Sequence, residues 1–191
     1  MNPRWRIGVL VVVALVQLAV PVTMICQHQA LLRTGRAYKF RTRPVDPADA
    51  FRGRYVRLAF EQDHAPWRAP DAVQYGMELF AQVVEGADGF AVIGEVAPVR
   101  PTQGDYLKVA TAWHEWGTKA GSVHFTLPFD RYYLAEGKAP QAEKIYREHN
   151  ARHLTNANTY VVVRIKDGAA ALAELYVADK PIQDYFASRK P

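Results

Sequence analysis

The sequence predicts a mainly β protein of the α+β class: an N-terminal transmembrane helix, then an antiparallel β-sandwich or barrel-like domain with one helix. Three observations lead there. Ile7 to Cys26 is a run of twenty residues without a charge. Beyond it, eight segments alternate apolar and polar residues with period two, the mark of half-buried strands. After Pro140 the period becomes that of a helix.

At about 1.5 Å per residue the apolar run spans a hydrocarbon core of roughly 30 Å, interrupted only by Gln17, Pro21 and Thr23. A cleavable signal would need a small-x-small site, which Val22-Thr23-Met24 lacks. A lipoprotein signal would need a small residue before Cys26, where Ile25 stands. An uncleaved single-pass anchor is therefore expected, with residues 1–34 as membrane and juxtamembrane helix and 35–191 as a β-rich extracytoplasmic domain. Arg4 and Arg6 abut the run and favour a cytoplasmic N-terminus. Arg33, Arg36, Lys39, Arg41 and Arg43 stand at its other end, but long domains translocate largely regardless of charge. Residues 1–57 carry a net +8 within a chain total of +5, so the basic character belongs to the membrane-proximal arm. Anionic headgroups of the membrane are its expected partner, and nucleic acid is not expected for an exported domain. Cys26 is the single cysteine, so no intramolecular disulfide can form.

Gln27 to Thr34 continues the helix, and Gly35 is expected to close it as a C-terminal cap. Tyr38, Phe40 and Thr42 then alternate with Lys39, Arg41 and Arg43, and Val56, Leu58 and Phe60 alternate with Tyr55, Arg57 and Ala59. Glu78 to Glu85 and Phe90 to Val96 flank the turn Gly86-Ala87-Asp88-Gly89, and Asp105 to Trp113 follows as a strand. Val123, Phe125 and Leu127 face opposite to His124 and Thr126. Thr159 to Lys166 and Ala169 to Val177 flank Asp167-Gly168, the strongest short hairpin signal in the chain. Between Leu127 and Thr159, Ala142, Ile145, Tyr146 and His149 fall on one helical face, with Pro140 tolerated in the first turn. Glu143 with Arg147 and Lys144 with Glu148 make ion pairs on the outside.

The densest local signal is the corner from Asp46 to Phe60. Asp46 before Pro47 is expected to cap one tight turn, and Gly53 to supply a positive φ that redirects the chain into the strand. Val56, Leu58 and Phe60 then fill the core, with Tyr55 and Arg57 on the other face. This corner, with "RPVDP" before it, Gly-Arg-Tyr-Val-Arg-Leu-Ala-Phe within it, and "LPFDRYYLAEGKAPQAEK" and "DGAAALAELYVADKPI" after it, resembles the GDYXXLXY family of bacterial membrane-anchored proteins. The resemblance implies a corner of structural or interaction residues, Asp46, Pro47, Arg52, Gly53, Tyr55, Leu58 and Phe60, and no established activity. It also implies a bacterial inner-membrane location and an accessory role beside a larger multi-span membrane protein. Arg54 stands where the family has aspartate and Phe60 where it has tyrosine, so any role for that carboxylate is lost or moved.

Covalent catalysis is poorly supplied, because the only serines are Ser122 and Ser188 and Cys26 lies in the membrane run. His149 and His153 have a ligand spacing but lack an evident third partner, and His114-Glu115 does not continue to a second histidine, since Thr118 occupies that place. No metal or cofactor is expected. Carboxylates remain: Asp49, Glu136 and Glu143 could do acid–base work if a cleft gathered them. The expectation is a membrane-anchored accessory or binding subunit; the alternative is a carboxylate-dependent hydrolase or a carrier of a small apolar ligand.

Overall fold

The computed structural model describes residues 3–43, 55–67, 76–111, 122–135, 137–149 and 158–187, with side chains from Ile7 onward. The corner residues Asp46, Pro47, Asp49, Arg52, Gly53 and Arg54, and likewise His114, Glu115, Thr118, Glu136 and His153, lie outside the described residues.

Helix α1 (Pro3–Thr34) covers the apolar run from which an anchor is expected. Its segment Ile7–Thr34 is long and apolar enough to cross a membrane, and its valines and leucines stand exposed, as a lipid-facing surface requires. The helix ends where expected, with the Gly35 amide donating to the Leu31 carbonyl at 2.8 Å. Gly35 is not among the glycines of positive φ, so it is not a left-handed cap. It is small because the sheet is close: an added Cβ would lie 2.7 Å from the Leu31 oxygen and 3.1 Å from Arg164 Cβ. Arg164 donates to the Gly35 carbonyl (3.1 Å) and Lys166 to Thr34 Oγ1 (3.2 Å), placing two cations at the negative end of the helix.

The domain is built on two five-stranded antiparallel sheets. In the first, β1 (Arg36–Arg43) pairs with β10 (Thr159–Lys166), which pairs with β11 (Ala169–Val177) and through it β12 (Lys180–Pro181); β3 (Ala59–Phe60) borders the other side of β1. In the second, the order is β4 (His64–Pro66), β8 (Ser122–Thr126), β7 (Asp105–Thr111), β5 (Glu78–Glu85) and β6 (Ala91–Ala97). A parallel bridge between Trp67 and Val96 brings the two edges of this second sheet together, giving it a barrel-like curl. The Asp167-Gly168 turn locks the sheets to each other: Lys108 donates to the Gly168 carbonyl at 3.1 Å. A Cβ on Gly168, whose φ is +81°, would come 2.5 Å from the Tyr106 ring.

Alternation in the sequence becomes sidedness in the fold. Tyr38, Phe40 and Thr42 are buried while Lys39 and Arg43 are exposed, and Val123, Phe125 and Leu127 are buried while Thr126 is exposed. Phe40, Phe60 and Phe129 meet edge to face, with Phe129 5.1 Å from Phe40 and 5.2 Å from Phe60. Phe60 thus uses only its ring, as expected for a core position without a hydroxyl. Helix α2 (Ala139–His149) buries Ala142 and Tyr146 and forms both expected surface pairs, Arg147 with Glu143 at 3.2 Å and Lys144 with Glu148 at 3.9 Å.

Several elements differ from expectation. Tyr55–Phe60 is not one strand: β2 (Tyr55–Arg57) pairs with β9 (Arg131–Tyr133), while β3 pairs with β1. The chain changes partner at Leu58, whose amide donates to the Asp130 carbonyl at 2.8 Å, so the switch leaves no buried donor unpaired. Twelve strands stand among the described residues where eight were expected, because Tyr55–Phe60 divides into β2 and β3, and β4, β9 and β12 are too short to show alternation. A third helix, α3 (Ile182–Ala187), follows Pro181. The turn before it holds Ala178 and Asp179 at φ +50° and +60° without a glycine, and Asn158 steadies it by donating to Asp179 Oδ2 at 2.6 Å.

Candidate functional site

Among the described signature residues, Val56, Leu58 and Phe60 point inward and Tyr55 and Arg57 point outward. The outward pair acquires partners from β9. Tyr55 stands opposite Tyr133, with ring centroids 5.6 Å apart, and Arg57 stands opposite Arg131. The Arg131 guanidinium lies 5.2 Å over the Tyr55 ring. Hydrogen bonding to Tyr133, followed by the charge of Asp130, shifts the Arg131 pKa upward and keeps it cationic. Tyr133 is 65% exposed, the most open aromatic ring among the described residues. Like charges directly opposite on antiparallel strands are destabilising, yet Arg57 faces Arg131 here.

Beneath the ribbon, Tyr132 is buried beside Val56 and fastens it to the first sheet. Its hydroxyl donates to Glu174 Oε1 at 2.6 Å and accepts from Gln183 Nε2 at 3.1 Å. Burial, reinforced by the Glu174 carboxylate, pushes the Tyr132 pKa up, so the phenol stays a donor. The outcome is an aromatic and cationic surface on a braced base. Since β3 lies against Thr42 and Arg43, this surface is reached from the end of β1 farther from α1.

The basic arm behaves differently. Arg36 reaches Glu85 and Asp105, each at 3.7 Å; Arg41 reaches Asp88 at 3.1 Å; and Arg43 reaches Asp63 at 2.8 Å. Lys39 lies 5.6 Å from the centre of the Tyr160 ring. A hydrogen bond from the Phe90 amide, then one from Arg41, holds Asp88 below the usual carboxylate range. Most of this arm is therefore matched within the domain, and Arg33 is the residue in it that stays exposed at the helix end.

Of the carboxylates considered for acid–base work, Glu143 is tied to Arg147 on the flank of α2. A cleft of about 640 Å³ opens between α2 and α3, with Ile145 and Tyr185 in its wall and Lys144, Glu148, Lys180 and Asp184 around them. His149 also lines it, but its Nδ1 lies 2.9 Å from the Ile145 carbonyl and its ring packs on Tyr185. Residues of metal-ligating chemistry converge elsewhere, where Asp63, His64 and His124 meet across β4 and β8. Sequence reasoning missed β9 and this trio alike, because only the strand register brings such distant residues opposite one another.

A family model described as GDYXXLXY protein matches residues 17–175. No curated protein matches the chain, and no solved structure does.

Proposed function

The chain belongs to the GDYXXLXY family, and on that premise we propose that it is a membrane-anchored accessory subunit of a larger, multi-span membrane protein. Its domain lies on the extracytoplasmic side of the bacterial inner membrane and grips its neighbour through the β2–β9 ribbon. The observation that carries this reading is the Arg57–Arg131 juxtaposition beside the Tyr55–Tyr133 pair. Cations directly opposite on adjacent strands repel; Asp130, 3.6 Å from Arg131, offsets part of this, and an acidic partner face would relieve the rest. Tyrosine and arginine are also the side chains that most often dominate binding energy at protein interfaces. A tether raises effective concentration, so a ribbon of modest area is enough to keep such a partner bound.

Two experiments test the parts of this reading. A reporter active only outside the cytoplasm, fused after Pro191, is expected to be active; an inactive reporter beside a fluorescent cytoplasmic one would place the domain on the other side. Replacing α1 by a cleavable export signal is expected to abolish function and partner recovery. Full biological activity of the released domain, with turnover of a substrate, would favour the hydrolase instead.

A further inference from the structure

We propose that Asp63, His64 and His124 form a binding site for one divalent transition-metal ion of the zinc class. His64 and His124 are direct cross-strand partners of β4 and β8. The Phe125 amide donates to the Asp63 carbonyl at 3.0 Å, which makes the neighbouring His64–His124 position a non-hydrogen-bonded pair. Side chains approach most closely at such positions, and the two imidazole centroids are 5.3 Å apart with their planes inclined by 35°. Asp63 would point to the opposite face if it lay within the strand. It sits instead in the bend before β4, which turns its carboxylate to the histidine side, where Oδ1 is 2.9 Å from His64 Nδ1.

The three residues place ligand atoms that all lie within 4.8 Å of one another. Metal–ligand bonds of about 2.0–2.1 Å in a tetrahedron set ligand atoms about 3.3 Å apart, so closing the site takes small rotations of side chains that already face solvent. Two imidazoles with one carboxylate select zinc and its neighbours over calcium or magnesium, which prefer oxygen. Three protein ligands leave a fourth position for water or an exogenous donor. Arg43 holds the other carboxylate oxygen, Asp63 Oδ2, at 2.8 Å, orienting the ligand as outer-shell partners do and partly offsetting its charge. Because Arg43 belongs to the first sheet and β4 and β8 to the second, the ion would brace the junction between them.

The test uses the full chain in detergent, stripped with chelator and titrated with Co²⁺ and then Zn²⁺. One Co²⁺ per chain is expected, with the visible bands of a tetrahedral ion and displacement by Zn²⁺. The melting temperature should climb with Zn²⁺ concentration. His64→Ala and His124→Ala should each erase the bands and weaken Zn²⁺ binding by more than the roughly 10–100-fold typical of losing an outer-shell partner. Asp63→Asn should weaken it as well, and His149→Ala should change nothing. Zn²⁺ binding that survives both His64→Ala and His124→Ala, affinity unchanged in Asp63→Asn, or no binding by the unaltered chain at micromolar Zn²⁺ would overturn the site.

Discussion

Strand β1 and the β2–β9 ribbon both carry arginines and lie beside aromatic rings, and they use them in opposite ways. Along β1, Arg41 is sandwiched between Asp88 at 3.1 Å and the Phe90 ring at 3.7 Å, while Arg36 and Arg43 reach carboxylates of the second sheet side. On the ribbon, Arg57 faces Arg131 and no ion pair of Arg57 occurs among the described residues. Counted in the sequence, Arg36, Arg41, Arg43 and Arg57 belong to one basic arm, which Arg131 joins only through strand pairing. Folded, they divide into a set that joins the sheets and a set that faces outward, and only the second is available to a partner.

Substitutions sharpen this division, beginning with the core that both regions share. Phe40→Ala should cost about 3–5 kcal/mol and Leu58→Ala about 2–5 kcal/mol by opening cavities at fully buried positions. Tyr133→Ala on the ribbon surface should stay within about 0.5 kcal/mol. An unchanged melting temperature in Leu58→Ala would mean that the two faces of the signature strand are reversed.

The junction between the sheets should respond next. Gly168→Ala places a Cβ 2.5 Å from the Tyr106 ring at a φ of +81°, so a loss of at least about 1–2 kcal/mol is expected from the backbone conformation alone. Thermal or denaturant unfolding measures it, and a neutral result would show that the turn can move away from β7.

Alkali should loosen the same junction. Burial, together with the hydrogen bond to Asp105, pushes the Tyr38 pKa from 10.0 to about 12. The fold favours the neutral phenol, so its contribution is complete below about pH 10 and is lost as the pH rises toward about 12. Absorbance titration of Tyr38→Phe against the unaltered protein isolates this step, and identical high-pH titrations would refute it.

Arg41→Ala should have a small effect. An exposed ion pair contributes about 0–1 kcal/mol and an exposed cation–π contact about 0.5–1 kcal/mol, so a loss on the order of 1 kcal/mol is expected. The Asp88 carboxyl should move back toward its ordinary pKa only in part, because the Phe90 amide is its larger influence. Carboxyl chemical shifts followed against pH read this directly.

Legibility in the sequence follows the reach of each interaction. The long apolar helix, the Gly86 and Gly168 turns and the alternating strands depend on neighbouring residues, and all were readable. Leu58 was placed in the core correctly, yet its change of partner from β9 to β1 depends on Asp130 and Thr42, which no local pattern connects to it. The turn at Ala178 and Asp179 was hidden because neither residue is the glycine that left-handed backbone favours. The outward ribbon was half visible: Tyr55 and Arg57 were assigned to the solvent face, but Arg131 and Tyr133 joined them only through pairing. His64 and His124 escaped notice for the same reason.

The most direct test of the accessory reading compares the two arginine sets in one experiment. The tagged full-length chain is recovered from native membranes in mild detergent, carrying either Arg57→Glu with Arg131→Glu on the ribbon or Arg36→Glu on β1. Co-purifying membrane protein is quantified beside the melting temperature of each variant. The ribbon variant should lose the partner with its melting temperature intact, whereas Arg36→Glu should keep it. Equal partner recovery from the ribbon variant and the unaltered chain would contradict the account.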